Sequence, residues 1–299
     1  MKIIALFGPT GVGKTAVAIA LAELLRERGE DPVAVSADAL QVYRGLETLT
    51  GAASTAERDA LEHRLLSFVA IEETFSAGRY SQLAHAQIDE LLASGRRPIV
   101  VGGTGLYLRA ALSELDLRPP VESATRERWM AELARVGAPA LHAELLQRAP
   151  WAAEQMGPTD TQRIVRALEL SDEGQLRRPD GPSQLWSDEM RHPTLLAGLT
   201  INREALYAGI DARVEAMLVA GAREEVLRAD AAVASETARK ALGFQELLDD
   251  DIEAMKRRTR NYAKRQLTWM RKLAGVGLID VTGRGAASVA LEILDSDTA

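Results

Sequence analysis

The sequence contains no cysteine. That excludes disulfides, a thiolate nucleophile and Cys-ligated zinc. Aromatic residues make up 4 % of the chain, so Leu, Val, Ile and Ala must build the core. Histidine is confined to His63, His85, His142 and His192, which lack ligand spacing, so no metal is expected beyond a magnesium ion carried on phosphate. No apolar run approaches about 18 residues, which excludes a membrane-spanning helix. The first residues read as a core strand rather than a leader, and a cytoplasmic location is expected. No N-K-x-D segment for guanine is present, which disfavours a regulatory GTPase.

Acidic residues are missing from one further stretch. Residues 256–272, KRRTRNYAKRQLTWMRK, hold eight Lys/Arg and no Asp/Glu. The segment carries +8 within a net charge of −7, which leaves −15 on the rest of the chain. A partner responds to the local field rather than to the mean.

What is present begins at Gly8-Pro9-Thr10-Gly11-Val12-Gly13-Lys14-Thr15, directly after the apolar run Ile3–Phe7. This is G-x-x-x-x-G-K-[ST] in a strand–loop–helix context. Such a loop gathers backbone N–H groups around phosphate, and the following helix adds its positive end. Lys14 supplies a cation and the Thr15 hydroxyl a ligand for magnesium. The competing reading is a chance match in a Gly-rich turn. Asp38 follows the apolar run 32–36 and reads either as a base beside the phosphate site or as the cap of a following helix. Val100-Val101-Gly102-Gly103-Thr104-Gly105 ends another apolar run; its glycines either admit a ligand to the backbone or make a tight turn.

Strands are predicted at 2–7, 32–36, near 64–69, and at 98–102, 194–201 and 277–281. Helices are predicted at 14–28, 76–94 (capped by Ser76), 104–113, 203–220 and 251–274, with a terminal helix after the last strand. The alternation predicts an α/β fold, a P-loop NTPase-like parallel sheet covered by helices, with ligands at the carboxyl ends of the strands. Residues 122–191 read as helical, so two units are expected: an α/β core of 1–114 and 193–299, and a helical insertion of 115–192. Arg177–Pro182 reads as a loop.

On the basic helix, Arg257, Arg260, Lys264 and Arg271 fall in one stripe at 100° per residue, with Arg258, Arg265 and Lys272 beside it. Ala263, Leu267, Met270 and Ala274 lie opposite and are expected to meet the core. Fixed cations without acidic neighbours suit a phosphate backbone; the alternative is a solvated face. Tyr262 and Trp269 read as packing residues. Arg163 and Arg166 share a helix face and either pair with acids on neighbouring helices or face the substrate cleft.

Seven segments in order resemble the tRNA dimethylallyltransferases, also called tRNA isopentenyltransferases: G-P-T-G-V-G-K-T (8–15), S-A-D-A-L-Q-V-Y-R-G (36–45), H-R-L-L (63–66), F-S-A-G-R-Y (75–80), V-G-G-T-G-L-Y (101–107), D-T-Q-R-I-V-R-A-L-E (160–169) and A-K-R-Q-L-T-W-M-R (263–271). The resemblance implies transfer of the dimethylallyl group of dimethylallyl diphosphate to N6 of the adenine just 3′ of the anticodon, in tRNAs that read codons beginning with U. It implies that residues 8–15 hold the diphosphate, that Lys14, Thr15 and Arg213 stabilise it with magnesium, and that Asp38 takes the N6 proton. It implies tRNA contacts from Asp38, Ala39, Leu40, Gln41, Thr104, Arg126, Thr159, Asp160, Thr161, Gln162 and Arg163, beside those expected of Arg260, Lys264 and Arg271. The partners implied are a tRNA anticodon stem-loop with its base flipped out and the allyl donor; no membrane is expected, and a monomer is. The sequence departs from the family pattern in 47–53, where Glu47 stands for an Asp and a Lys-Pro pair is missing, and in 171–183. Alternatives are a P-loop kinase of a nucleoside or small metabolite, a prenyl transferase acting on free adenine nucleotides, and a non-catalytic RNA-binding protein.

Overall fold

The computed structural model describes residues 1–178, 181 and 183–298. The chain divides into two compact units, one of Met1–Leu115 with the chain from Gln184 onward, the other of Asp116–Ser183. The first begins β1 (Ile3–Phe7), α1 (Lys14–Glu27), β2 (Pro32–Ser36), α2 (Glu47–Thr50), α3 (Thr55–Ala60), β3 (His63–Arg64), α4 (Ala77–Ala93), β4 (Arg97–Gly102) and α5 (Gly105–Leu112). The second holds α6 (Ser123–Val136), α7 (Ala138–Arg148), α8 (Pro150–Ala153) and α9 (Thr161–Asp172). The chain then returns through β5 (Thr194–Thr200), α10 (Arg203–Val219), α11 (Ala222–Ala231), α12 (Phe244–Leu248), α13 (Ile252–Met270), β6 (Gly277–Asp280) and α14 (Ala286–Thr298).

The six strands form one sheet in the order β3-β2-β4-β1-β5-β6, every pair parallel. All five residues of β1 are buried, as a strand covered on both faces requires. On α1, Val17, Ala18, Leu21, Ala22 and Leu25 form the inward stripe. They share one apolar cluster with Ile4 and Leu6 of β1 and with Val289, Ala290 and Ile293 of α14. Register then fixes the functional edge. Phe7 lies opposite Gly102, and Ser36 opposite Val101. The P-loop, the Asp38 segment and the Gly102-Gly103-Thr104 turn therefore leave three adjacent strands at one level. The chain moves from β1 to β2, back to β4 and across to β5, so this is also where the strand order reverses.

Several expectations need correction. The strand near 64–69 stops at Arg64, because Leu65 (φ 57°) and Ser67 (φ 49°) are left-handed and break the pairing. Val69 makes only an isolated bridge with Tyr43. The insertion ends at Ser183 rather than 192. The buried Arg109 guanidinium donates to the carbonyl oxygens of Gln184 (2.9 Å) and Glu189 (3.2 Å), and Ser113 donates to Glu189 (2.7 Å), tying this segment to the α/β unit. Helix does not fill 122–191: no α-helix is found between Glu173 and His192 among the described residues. Of the expected loop Arg177–Pro182, residues Pro179, Asp180 and Pro182 lie outside the described residues.

The second unit packs around its own small core, in which Leu141 and Leu145 of α7 meet Ile164 and Leu168 of α9. Glu169 there is fully buried and is held by Arg126 (3.1 Å) and Arg166 (3.2 Å). Asp160 caps α9 by accepting from the Arg163 N–H and also pairs with the Arg163 side chain. Arg163 and Arg166 do pair with acids, but with Asp160 and Glu169 of their own helix and its cap rather than with acids on neighbouring helices. Thr159 precedes the cap, and Thr161 and Gln162 form the exposed first turn of the helix.

Candidate active site

At the sheet edge lies a cavity of about 360 Å³ lined entirely by the α/β unit. Its floor is the P-loop. Gly13, at φ 92°, is the N-cap of α1 and has no side chain to cap it. Among the described residues, the N–H groups of Gly13, Lys14, Thr15 and Ala16 therefore have no acceptor within the protein, and their helix end presents positive potential. Lys14 donates to the carbonyls of Gly8 (2.9 Å) and Pro9 (3.0 Å). Burial and the nearby Arg213 lower its pKa, and Asp38 raises it; burial is the largest of these, and the ammonium is pulled down to about 8. Thr15 and Arg213 also line the cavity. Burial lowers the Arg213 pKa as well, and its Nε is buried without a partner. Two desolvated cations beside uncommitted N–H groups are what a polyphosphate neutralises.

Asp38 lies two residues past the end of β2, which β4 separates from β1 in the sheet. Its Oδ1 accepts from the N–H of Leu40 (3.0 Å) and Gln41 (3.4 Å), and its Oδ2 from the Thr104 hydroxyl (3.4 Å). The residues that follow form turns, with no helix before Glu47. The helix-cap reading therefore fails, and the carboxylate faces the cavity. Ala39 donates through its N–H to Thr104 (3.4 Å), and Leu40 and Gln41 line the wall. The Gln41 amide is committed to the carbonyls of Thr50 (3.3 Å) and Gly51 (3.1 Å).

The Gly102-Gly103-Thr104-Gly105 turn is a close approach of backbones. A Cβ on Gly102 would overlap the Ala37 carbonyl, and one on Gly105 would overlap the Trp269 ring. A Cβ on Gly103 would overlap the Gln266 amide. Gln266 is the residue that sequence reasoning missed. Its Nε2 donates to the Gly103 carbonyl (2.7 Å) and its Oε1 accepts from the Thr10 N–H (2.8 Å). It thereby fixes the P-loop, β4 and α13 together. Four residues earlier, Tyr262 meets the Thr104 hydroxyl at 3.2 Å, and Thr259 and Met255 continue the same face into the cavity. The signal was present in the sequence: polar Thr259 and Gln266 interrupt the helix face that Met255, Ala263 and Met270 bury.

The Tyr262 phenol, Thr104 and Asp38 form a directed chain in which each hydroxyl donates toward the carboxylate. Burial pushes the phenol well above its ordinary range, and Asp38 adds to that, so it remains a donor. Tyr262→Phe removes only the first link. It is expected to lower turnover about 3- to 10-fold, in line with one neutral hydrogen bond of about 1 kcal/mol. Turnover unchanged from wild type would show that Tyr262 only packs.

The basic helix requires a correction. Acids outside the segment reach it: Arg260 pairs with Asp211 of α10 at 2.5 Å, Lys256 with Glu215 of α10 at 2.6 Å and with Glu253 of α13 itself at 3.1 Å, and Arg258 with Glu246 of α12 at 2.7 Å. Arg260 is thus half-buried and neutralised. Arg271 is the C-cap of α13; its backbone keeps right-handed helical angles and its N–H donates to the Leu267 carbonyl at 3.2 Å, so it continues the expected stripe one residue past Met270. Lys264, Arg265, Arg271 and Lys272 are exposed. Trp269 does pack, against Trp186 with ring centroids 4.6 Å apart. Arg126, Thr159, Asp160, Thr161, Gln162 and Arg163 belong to the other unit and are not among the residues lining the cavity.

Three kinds of comparison agree. The model of the IPP transferase family matches residues 41–273. The tRNA dimethylallyltransferase of Kineococcus radiotolerans is 40% identical over 284 residues, 91% of this chain and 88% of that protein. The crystal structure of the tRNA isopentenylpyrophosphate transferase of Bacillus halodurans superposes with a TM-score of 0.71 at 31% identity, covering 99% of this chain and 95% of that one. A eukaryotic dimethylallyltransferase described as acting on tRNA gives a TM-score of 0.75 at 25% identity, covering 99% and 79%.

Proposed function

The chain belongs to the IPP transferase family, and from that premise we propose that it transfers the dimethylallyl group of dimethylallyl diphosphate to N6 of the adenine just 3′ of the anticodon, in tRNAs reading codons that begin with U. The observation that carries this is one cavity joining a phosphate cradle, a carboxylate and an apolar end, the last formed by Leu49, Met217, Leu242 and Met255. An allyl diphosphate has the same polarity. The bond between the allyl C1 and the diphosphate oxygen breaks, and its electron pair leaves with the diphosphate. The N6–C1 bond forms, and the N6 proton passes to Asp38. Negative charge grows on the departing diphosphate, where the P-loop N–H groups, Lys14 and Arg213 act on it most strongly. The kinase alternative is not favoured, because the relatives named above are allyl transferases.

Magnesium fits the donor set in one way only. Among the described residues no cluster of carboxylates or histidines could cage a metal, while the Thr15 hydroxyl, a hard oxygen, lines the cradle. Thr15 would therefore hold the ion jointly with diphosphate oxygens and water. Bound there, magnesium supplies charge neutralisation to the leaving group. No helix among the described residues is long and apolar enough to cross a membrane. A cytoplasmic, monomeric enzyme acting on tRNA is the reading we propose.

The decisive experiment incubates the protein with labelled dimethylallyl diphosphate and unmodified tRNA, beside a reaction with γ-labelled ATP. Magnesium-dependent label in RNA is expected; phosphate transfer from ATP to a small product would overturn the reading. The tRNA surface has its own test in affinity against salt. Lys264→Ala and Arg271→Ala are each expected to weaken binding similarly for all tRNAs and to reduce the salt slope by about 0.7–0.9. Arg260→Ala should change the slope less, because Asp211 already neutralises it. Equal losses at all three positions would mean that RNA displaces Asp211; no loss at Lys264 and Arg271 would make the helix a solvated face.

A further inference from the structure

We infer that Met255 is the stop that sets the chain length of the prenyl donor, with Leu49 fixing it from behind and Met217 completing the wall. The inference rests on the allyl-transfer reading and deepens it, since the P-loop and Asp38 say nothing about the length of the tail.

Helix α13 acts as a graduated edge along the cavity. Gln266, Tyr262, Thr259 and Met255 line it together, at spacings of four, three and four that keep them on one helix face. The two upper marks are anchored. Gln266 bonds the P-loop at Thr10 and so marks the diphosphate level. Tyr262 bonds Thr104, which bonds Asp38, and so marks the level of the reacting atoms. At 1.5 Å per residue, Met255 lies about 10 Å along the axis from Tyr262. A dimethylallyl group reaches roughly 4 Å beyond its reacting carbon, and a geranyl group roughly 9 Å, since bonds of about 1.5 Å in a zigzag advance roughly 1.3 Å each. Allowing for the thickness of the Met255 side chain, the shorter tail fits before the stop and the longer one meets it. Helix α10 runs the same gradient: Arg213 and Met217, one turn apart, both line the cavity.

The stop is held in place. Met255 is 1% exposed and Leu49 3%. Behind them is Gly243, at φ 96°, the N-cap of α12. A Cβ there would lie 2.6 Å from Met255 Cε, 2.8 Å from its Sδ and 2.9 Å from Leu49 Cδ1. The thioether therefore already occupies the space it would need in order to swing out of the way. Leu49 is fixed in turn, because the Glu225 carboxylate accepts from the N–H groups of Thr48 and Leu49, both at 2.9 Å.

The test compares kcat/KM for dimethylallyl diphosphate and geranyl diphosphate, using the full chain and unmodified tRNA. Wild type should strongly prefer the shorter donor. Met255→Ala should shift the ratio toward geranyl by at least about tenfold, the scale on which a hydrophobic pocket discriminates methylenes. Met255→Leu, which conserves volume, should keep the ratio within a few-fold of wild type. If Met255→Ala does not fold, Met217→Ala, at a half-buried position of the same wall, should shift the ratio in the same direction. An unchanged ratio in a folded, active variant overturns the stop alone, as does a wild type that uses both donors equally. Transfer from neither donor, with phosphate transfer from ATP, overturns the allyl-transfer reading and the stop with it.

Discussion

Asp38→Ala is expected to leave the sheet and the phosphate cradle folded while lowering kcat by about 10²- to 10⁴-fold, the usual contribution of a positioned general base. The fold should persist because Asp38 supports only a turn. It accepts from the N–H groups of Leu40 and Gln41, while the segment itself is held by the Ala37 N–H on the Val101 carbonyl at 2.8 Å and by the pairing of Ser36 with Val101. The loss on removal should be about 1 kcal/mol per turn bond, with water replacing the carboxylate. Turnover should fall much further, because an exocyclic amine is a poor nucleophile until its proton has an acceptor. Single-turnover transfer and a thermal melt, run on the same preparation, separate the two effects. Near-normal turnover with a lowered Tm would make Asp38 a turn residue only.

The legible part of this molecule was local. Each of the three loops at the sheet edge announces itself within about ten residues: a strand pattern followed by glycines or an Asp, and in two of the three by a helix start. The parallel alternation implies that such loops share one edge, and the register of Phe7 with Gly102 and Ser36 with Val101 bears that out. What stayed hidden depends on which elements become neighbours. Gln266 reads as one polar residue in a basic helix until α13 is laid against the P-loop. The acids that neutralise Arg260 and Arg258 lie outside 256–272, on α10 and α12, and Lys256 pairs with both Glu215 of α10 and Glu253 just ahead of the segment, so a segment without Asp or Glu looked unpartnered. The apolar wall was missed for another reason. Leu49 sits in a four-residue helix and Leu242 just before a five-residue one, both too short to show periodicity. The 47–53 stretch that departs from the family pattern turns out to supply Thr50 and Gly51, whose carbonyls hold Gln41 at 3.3 and 3.1 Å and face the Arg213 guanidinium at 3.5 and 3.4 Å. These contacts use backbone atoms, so the wall tolerates a change of side chains there.

Lys14→Ala should lower kcat/KM for the allyl donor by about 10²- to 10³-fold, the scale of one preorganised group acting on charge that develops in the transition state. The buried ammonium gives this prediction a pH signature. Its pKa is pulled down to about 8 by burial, against Asp38, which raises it. The protonated form is the one that attracts diphosphate. In the free enzyme that form is complete well below pH 8 and is lost as pH rises through it, so wild-type kcat/KM should fall above about pH 8. Bound diphosphate stabilises the ammonium, and the corresponding limb in kcat should move to higher pH. Lys14→Arg keeps its charge throughout and should lose the alkaline limb, although its planar head cannot reproduce the lysine's contacts with the Gly8 and Pro9 carbonyls. Lys14→Ala should be low at every pH and lack the limb. A wild-type limb near pH 8 that survives in Lys14→Arg would assign it to another group, and kcat/KM unchanged in Lys14→Ala would remove the lysine from the phosphate site. Both results are read from donor kinetics, so a defect in tRNA binding does not imitate them.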